Sequence, residues 1–105
     1  MSNSSDFDSN SDLMEESKVE YKKPKMFKVM FFNDDFTPFE FVEGLLMGLF
    51  GKSEEEALLI TKKVHEHGKA IVAIYTKEIA EMKVLTANGV AQKNGYPFKS
   101  DFESE

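Results

Sequence analysis

Seven consecutive residues, Met26-Phe27-Lys28-Val29-Met30-Phe31-Phe32, are apolar but for one lysine, lack Gly and Pro, and favour extended backbone, so they predict a strand in a packed core. From Pro38 the spacing changes. Val42, Leu45, Leu46, Leu49 and Phe50 recur at helical intervals, and Gly51 offers a left-handed stop. Thr37 followed by Glu40 has the form of a capping box, with Pro38 suited to the first helical position. A second box, Ser53 with Glu56, opens a helix with the inner stripe Ala57, Ile60, Thr61 and Val64, closed by Gly68. Ala70 to Tyr75 has the length and β-branched content of a buried strand. Thr76 then caps a third helix, expected to run from about Lys77 to Lys93 although Gly89 inside it costs about 1 kcal/mol relative to Ala. Asn94-Gly95 and Pro97 end that helix, and Phe98 to Phe102 alternates like an edge strand. The predicted order is β-α-α-β-α-β. This is an α+β fold, a small antiparallel three-stranded sheet packed against three helices.

The first part of the chain breaks the pattern. Residues 1–20 are rich in Ser, Asn and Asp, with only Phe7, Leu13, Met14 and Val19 to bury, too few to offset the entropy of ordering the segment. A disordered acidic arm over residues 1–22 and a core domain over 23–105 are therefore expected. Of the net charge of −6, the first twenty residues carry −5. An acidic extension, with no lysine stripe interleaved with aromatics elsewhere, excludes nucleic acid as the expected partner. The absence of Cys removes disulfides, thiol catalysis and Cys-based zinc sites. No apolar run approaches the ~18 residues of a membrane span, so a cytoplasmic protein with no membrane partner is expected.

The chemistry concentrates between the first strand and the first helix. Asn33, Asp34 and Asp35 place an amide and two carboxylates at the mouth of the core, a composition suited to holding a cation. The same residue types also populate turns merely because their side chains bond local amides. His65, next to Val64 in the last turn of the second helix, serves equally as a satisfied core group or as a ligand-facing one. His65-Glu66-His67 lacks the i, i+4 pairing of zinc motifs, and Asn33-Asp34-Asp35 lacks the alternating acids of a calcium loop, so no metal or other cofactor is expected. With no Cys, and no Ser on a Gly-flanked elbow, the residues do not describe an enzyme.

In order and spacing, Phe27-Lys28-Val29, Asn33 through Val42, Val64-His65 with Gly68-Lys69-Ala70, and Tyr75 through Val84 resemble the bacterial ClpS adaptor family, over about Met26 to Pro97. The resemblance implies an adaptor that captures proteins with an N-terminal Leu, Phe, Tyr or Trp and hands them to the ClpA unfoldase of the ClpAP protease. It also implies roles for residues. Asn33, Asp34 and His65 would surround the substrate's α-amino group, with His65 accepting through a neutral ring nitrogen. Thr37, Phe39, Val42, Leu45, Val64 and Asp35 would form the side-chain pocket, although Val42 and Leu45 suit the core alike. Glu78 and Lys83 match the positions through which the family touches the unfoldase's N-terminal domain, and the arm of residues 1–22 would be engaged during hand-off. Two residues depart from the family pattern. Phe39 and Thr61 stand where Met is frequent; Phe39 is expected to act as a larger gate that still excludes Ile and Val, and Thr61 bears on the preference among Leu, Phe, Tyr and Trp. The alternative is the same fold serving another degron or another Clp ATPase.

Overall fold

Strand β1 (Met26–Phe32) lies at the centre of the sheet, and its Val29 and Phe31 are fully buried. The computed structural model describes residues 23–105; the arm expected over residues 1–22 lies outside the described residues. After β1 come α1 (Phe39–Gly48), α2 (Glu54–His67), β2 (Lys69–Thr76), α3 (Lys77–Lys93) and β3 (Lys99–Ser104), in the predicted order. Both β2 and β3 pair antiparallel with β1, giving the sheet order β2-β1-β3.

One face of the sheet carries the core. Phe31 meets Phe50 and Phe98 edge to face, with ring centroids 5.4 and 4.8 Å apart, the geometry that the aromatic quadrupole favours. Leu46 of α1, Ala57 of α2, and Ala80, Ala87 and Ala91 of α3 close over these rings with no exposed surface. The alanine stripe at near-helical spacing lets α3 approach the sheet closely. Full burial of a side chain the size of Phe31 contributes about 1.5–3 kcal/mol.

Three expectations change. The stretch Ala70 to Tyr75 is not buried on both sides. β2 is an edge strand, and its Ile71 and Ile74 are 51% and 44% exposed on the face away from the helices. A bulge opposite Val29 and Met30 inserts Val72 as the extra residue, and Val72 is buried. Helix α1 starts at Phe39, one residue later than expected, with Pro38 extended (φ −64°, ψ 146°) in the capping position and no side-chain cap. Lys83 does not project into solvent. Its Nζ donates to the Leu49 carbonyl at 2.7 Å, between the rings of Phe50 and Tyr75 at 5.9 and 5.8 Å. A cation is favoured there because α1 ends at Leu49 with unpaired carbonyls and negative dipole charge, and the ring faces add to the attraction.

Asn88 explains why α3 runs through Asn88-Gly89. Its side chain acts as a strand edge, accepting from the Ser100 amide (2.8 Å) and hydroxyl (2.9 Å) and donating to the Ser100 carbonyl (3.1 Å). These bonds satisfy the outer edge of β3 and tie it to α3.

Candidate functional site

The loop between β1 and α1 is organised by a single carboxylate. Asp34 Oδ1 accepts from the backbone amides of Phe36 and Thr37, both at 2.8 Å, and the Thr37 hydroxyl donates to the same carboxylate at 3.0 Å from Oδ1 and 2.8 Å from Oδ2. Such Asx-turn bonding is what Asp does where the chain must reverse. A carboxylate offers about four acceptor positions, and the loop uses three hydrogens. Among the described residues, one position on the Oδ2 side is without a donor.

The loop is also tied to the end of α2. Gly68 adopts φ 86°, a left-handed conformation open to Gly at little cost, and its carbonyl accepts from the Asn33 amide at 2.9 Å. That bond draws the last turn of α2, with Val64 and His65, against the Asn33-Asp34 junction. Upstream, the Ser53–Glu56 box fixes where α2 begins and therefore which residues of its stripe face the loop: Ser53 Oγ accepts from the Glu56 amide and Glu56 Oε1 accepts from the Ser53 amide, both at 3.1 Å.

Between these elements lies a hollow lined by Phe32, Asn33, Asp34, Thr37, Phe39, Val42, Thr61, Val64 and Phe98. Its empty volume, mouth included, is about 260 Å³. At rest its interior has room for about one water molecule. A larger group enters only if a wall moves. Val42 and Val64 are 8% and 5% exposed within the core, whereas Phe39 is 47% exposed and meets the His65 ring edge to face at 5.2 Å. Phe39 is the least buried of the apolar walls.

Of the residues singled out from the sequence, Asn33, Asp34, Thr37, Phe39, Val42 and Val64 line this hollow together. His65 is exposed at the lip and reaches it through the Phe39 ring. Asp35 is exposed and is not part of the lining. Leu45 is elsewhere: it belongs to the groove between α1 and α3 with Phe41, Leu49, Thr86 and Val90, because its helical position faces α3 rather than α2. The structure adds Phe32 and Phe98, which sequence reasoning had used only as core or strand positions. Phe98 packs on Phe31 and lines the hollow at once, so the wall is anchored in the core. Thr61 also lines it. The residue is 3% exposed, and its Oγ1 has no hydrogen-bond partner among the described residues. An unsatisfied buried hydroxyl costs about 1–3 kcal/mol.

Electrostatically the mouth is acidic, with Asp34 and Asp35 adjacent and Lys residues absent from the lining. An acceptor-rich rim over an apolar hollow suits a ligand with a cationic head and a greasy body.

Comparison with known proteins gives a consistent result. The family described as "ATP-dependent Clp protease adaptor protein ClpS" matches residues 22–101. An ATP-dependent Clp protease adapter protein ClpS of Desulforapulum autotrophicum is 46% identical over 91 residues, 85% of this chain and 88% of that protein. The ClpS of Bdellovibrio bacteriovorus is 48% identical over 82 residues, 78% of this chain and 72% of its own length. Among solved structures, Agrobacterium tumefaciens ClpS2 bound to L-phenylalaninamide superposes with a TM-score of 0.77 at 36% identity, over 79% of this chain and all of that one. With the strand order, the Asp34-centred loop and the hollow beside it already in place, these matches assign the chain to the ClpS family of ATP-dependent Clp protease adaptors.

Proposed function

We propose that this chain is a substrate adaptor that grips proteins by a free N-terminus bearing Leu, Phe, Tyr or Trp and delivers them, in the cytoplasm, to the ClpA unfoldase of the ClpAP protease. One observation carries the reading: a hollow with apolar walls opens beside a carboxylate that keeps one acceptor position free among the described residues. A chain start is an ammonium with three donors next to one side chain, and Asp34, the Asn33 side-chain oxygen and the neutral His65 ring would meet those donors. The ligand of the Agrobacterium relative, L-phenylalaninamide, has this form, a free amine on a benzyl-bearing carbon.

The energies fit an adaptor that must release its cargo. Each hydrogen bond to a charged group contributes about 1.5–3 kcal/mol, and burial of a Leu or Phe side chain adds about 1.5–3 kcal/mol. Lost translational and rotational freedom offsets about 4 kcal/mol or more, leaving moderate affinity. Opening the hollow by moving Phe39 lowers it further.

For delivery, Glu78 lies exposed in the first turn of α3, and Met82 and Leu85, 56% and 66% exposed, follow at i+4 and i+7 on one stripe. That face suits the unfoldase's N-terminal domain. Lys83 supports it from beneath by holding α3 to the end of α1.

The test is titration of the purified protein with labelled peptides that begin with Phe, with Met, and with N-acetyl-Phe. The Phe peptide binds; the Met peptide binds at least about tenfold more weakly. Acetylation removes the cation and strands Asp34, a loss of roughly 3 kcal/mol or about 100-fold. Equal affinity for free and acetylated Phe would overturn the reading.

A further inference from the structure

Resting on the N-terminal reading above, we propose that Thr61 hydrogen-bonds a polar atom at the far end of the captured side chain, so that this adaptor prefers an N-terminal Tyr to Phe or Leu. Apart from Asn33 and Asp34, the lining is apolar at Phe32, Phe39, Val42, Val64 and Phe98 and holds two hydroxyls. That of Thr37 is bonded to Asp34, which leaves the hydroxyl of Thr61. A helical Thr ordinarily satisfies its hydroxyl on the carbonyl four residues back, here Ala57. That bond is not formed, and Oγ1 is left without a partner among the described residues, although the residue is 3% exposed.

Burial marks depth along α2. His65 is exposed at the lip, and Thr61 lies one helical turn away, about 6 Å along the axis, beneath the surface. A side chain whose α-amino group is held by Asp34 enters the lining that Thr61 shares. A phenol carries one donor and an acceptor, and so does the threonine hydroxyl, so the pair can bond in either direction. Phe and Leu fill the same space but leave Thr61 as it was. A neutral hydrogen bond made on binding corresponds to about a 2- to 10-fold preference.

The experiment compares affinities for Tyr-, Phe-, Leu- and Met-initiated peptides in the wild type, Thr61→Val and Thr61→Ser. Expected is a wild-type Tyr-over-Phe ratio of about 2 to 10, kept in Thr61→Ser, which retains the hydroxyl, and lowered to one or below in Thr61→Val. A urea midpoint of Thr61→Val at or above that of the wild type shows that the variant folds, since the substitution removes a buried hydroxyl without a partner among the described residues. A Tyr-over-Phe ratio unchanged in Thr61→Val, or a wild type that favours Phe, overturns the role of Thr61 while leaving the N-terminal reading intact. Failure of Tyr, Phe and Leu peptides to bind better than Met in the wild type overturns that reading and this one with it.

Discussion

Helices α1 and α2 open on the same sequence pattern, Thr37-x-x-Glu40 and Ser53-x-x-Glu56, and do different things with it. At α2 the box closes reciprocally, with two backbone-to-side-chain bonds of 3.1 Å between Ser53 and Glu56 and a third, from the Ser53 hydroxyl to Glu56 Oε1, at 3.3 Å. At α1 a stronger acceptor intervenes. The Asp34 carboxylate, three residues upstream, takes the Thr37 amide that the box would give to Glu40 and turns the Thr37 hydroxyl toward itself, and Pro38 stands as the helix start with no side-chain cap. The difference shows where the molecule forgoes helix stability. Caps are formed where a helix only has to begin, and are diverted where the loop must hold a carboxylate in one orientation beside the hollow.

Replacing Asp34 breaks this contrast most severely. Asp34→Ala removes the acceptor for three loop hydrogens and the free position for an ammonium. Affinity for a Phe-initiated peptide is expected to fall about 100-fold or more, and stability by about 1–3 kcal/mol. Asp34→Asn separates the two effects, since its side-chain oxygen can still accept the Phe36 and Thr37 amides while the charge is gone. Peptide titration of Asp34→Asn should show most of the binding loss, and urea unfolding little of the destabilisation. Wild-type binding by Asp34→Ala would mean that the residue only shapes the turn.

The same comparison explains what was legible in the sequence. Strand β1, the Ser53–Glu56 box and the Gly68 terminus follow from local rules that no tertiary contact overrides, and each is where the pattern predicts it. Asn33, Asp34, Thr37, Phe39, Val42 and Val64 could be proposed as neighbours from the matched motifs, because one loop and two adjoining helices carry them all. What escaped depends on partners distant in sequence. Lys83 is drawn inward by a carbonyl 34 residues away. Leu45 belongs to the groove with α3 because of a helix rotation that spacing alone leaves free. Phe98 reaches the hollow only because β3 pairs beside β1. Ile71 and Ile74 are exposed because β2 takes an edge, and β-branched content does not distinguish an edge strand from a central one.

A milder break acts on the other helix. Ser53→Ala deletes a cap that serves structure alone, so it should lower stability by about 1 kcal/mol, read from the urea midpoint. Affinity for a Phe-initiated peptide should stay within about twofold of wild type, because Thr61 and Val64 are two or more turns away and packed in the core. A large loss of binding in Ser53→Ala would show that the start of α2 sets the register of the hollow, and that the division between structural cap and site loop is too sharp.

The smallest effect is the most discriminating. Glu40 and Glu56 occupy equivalent places in the two patterns, yet only Glu56 bonds the residue that opens its box. Glu56→Ala should cost about 1 kcal/mol, because it leaves the Ser53 amide without its partner. Glu40→Ala loses only an exposed carboxylate near a helix start, a few tenths of a kcal/mol, and gains the better helix propensity of Ala, so its urea midpoint should lie close to wild type. Equal destabilisation by the two substitutions would mean that in solution Thr37 turns away from Asp34 and caps α1. In that state Asp34 would keep the Phe36 amide but lose both hydrogens of Thr37, and the acceptor position on which the N-terminal reading depends would no longer be fixed in direction.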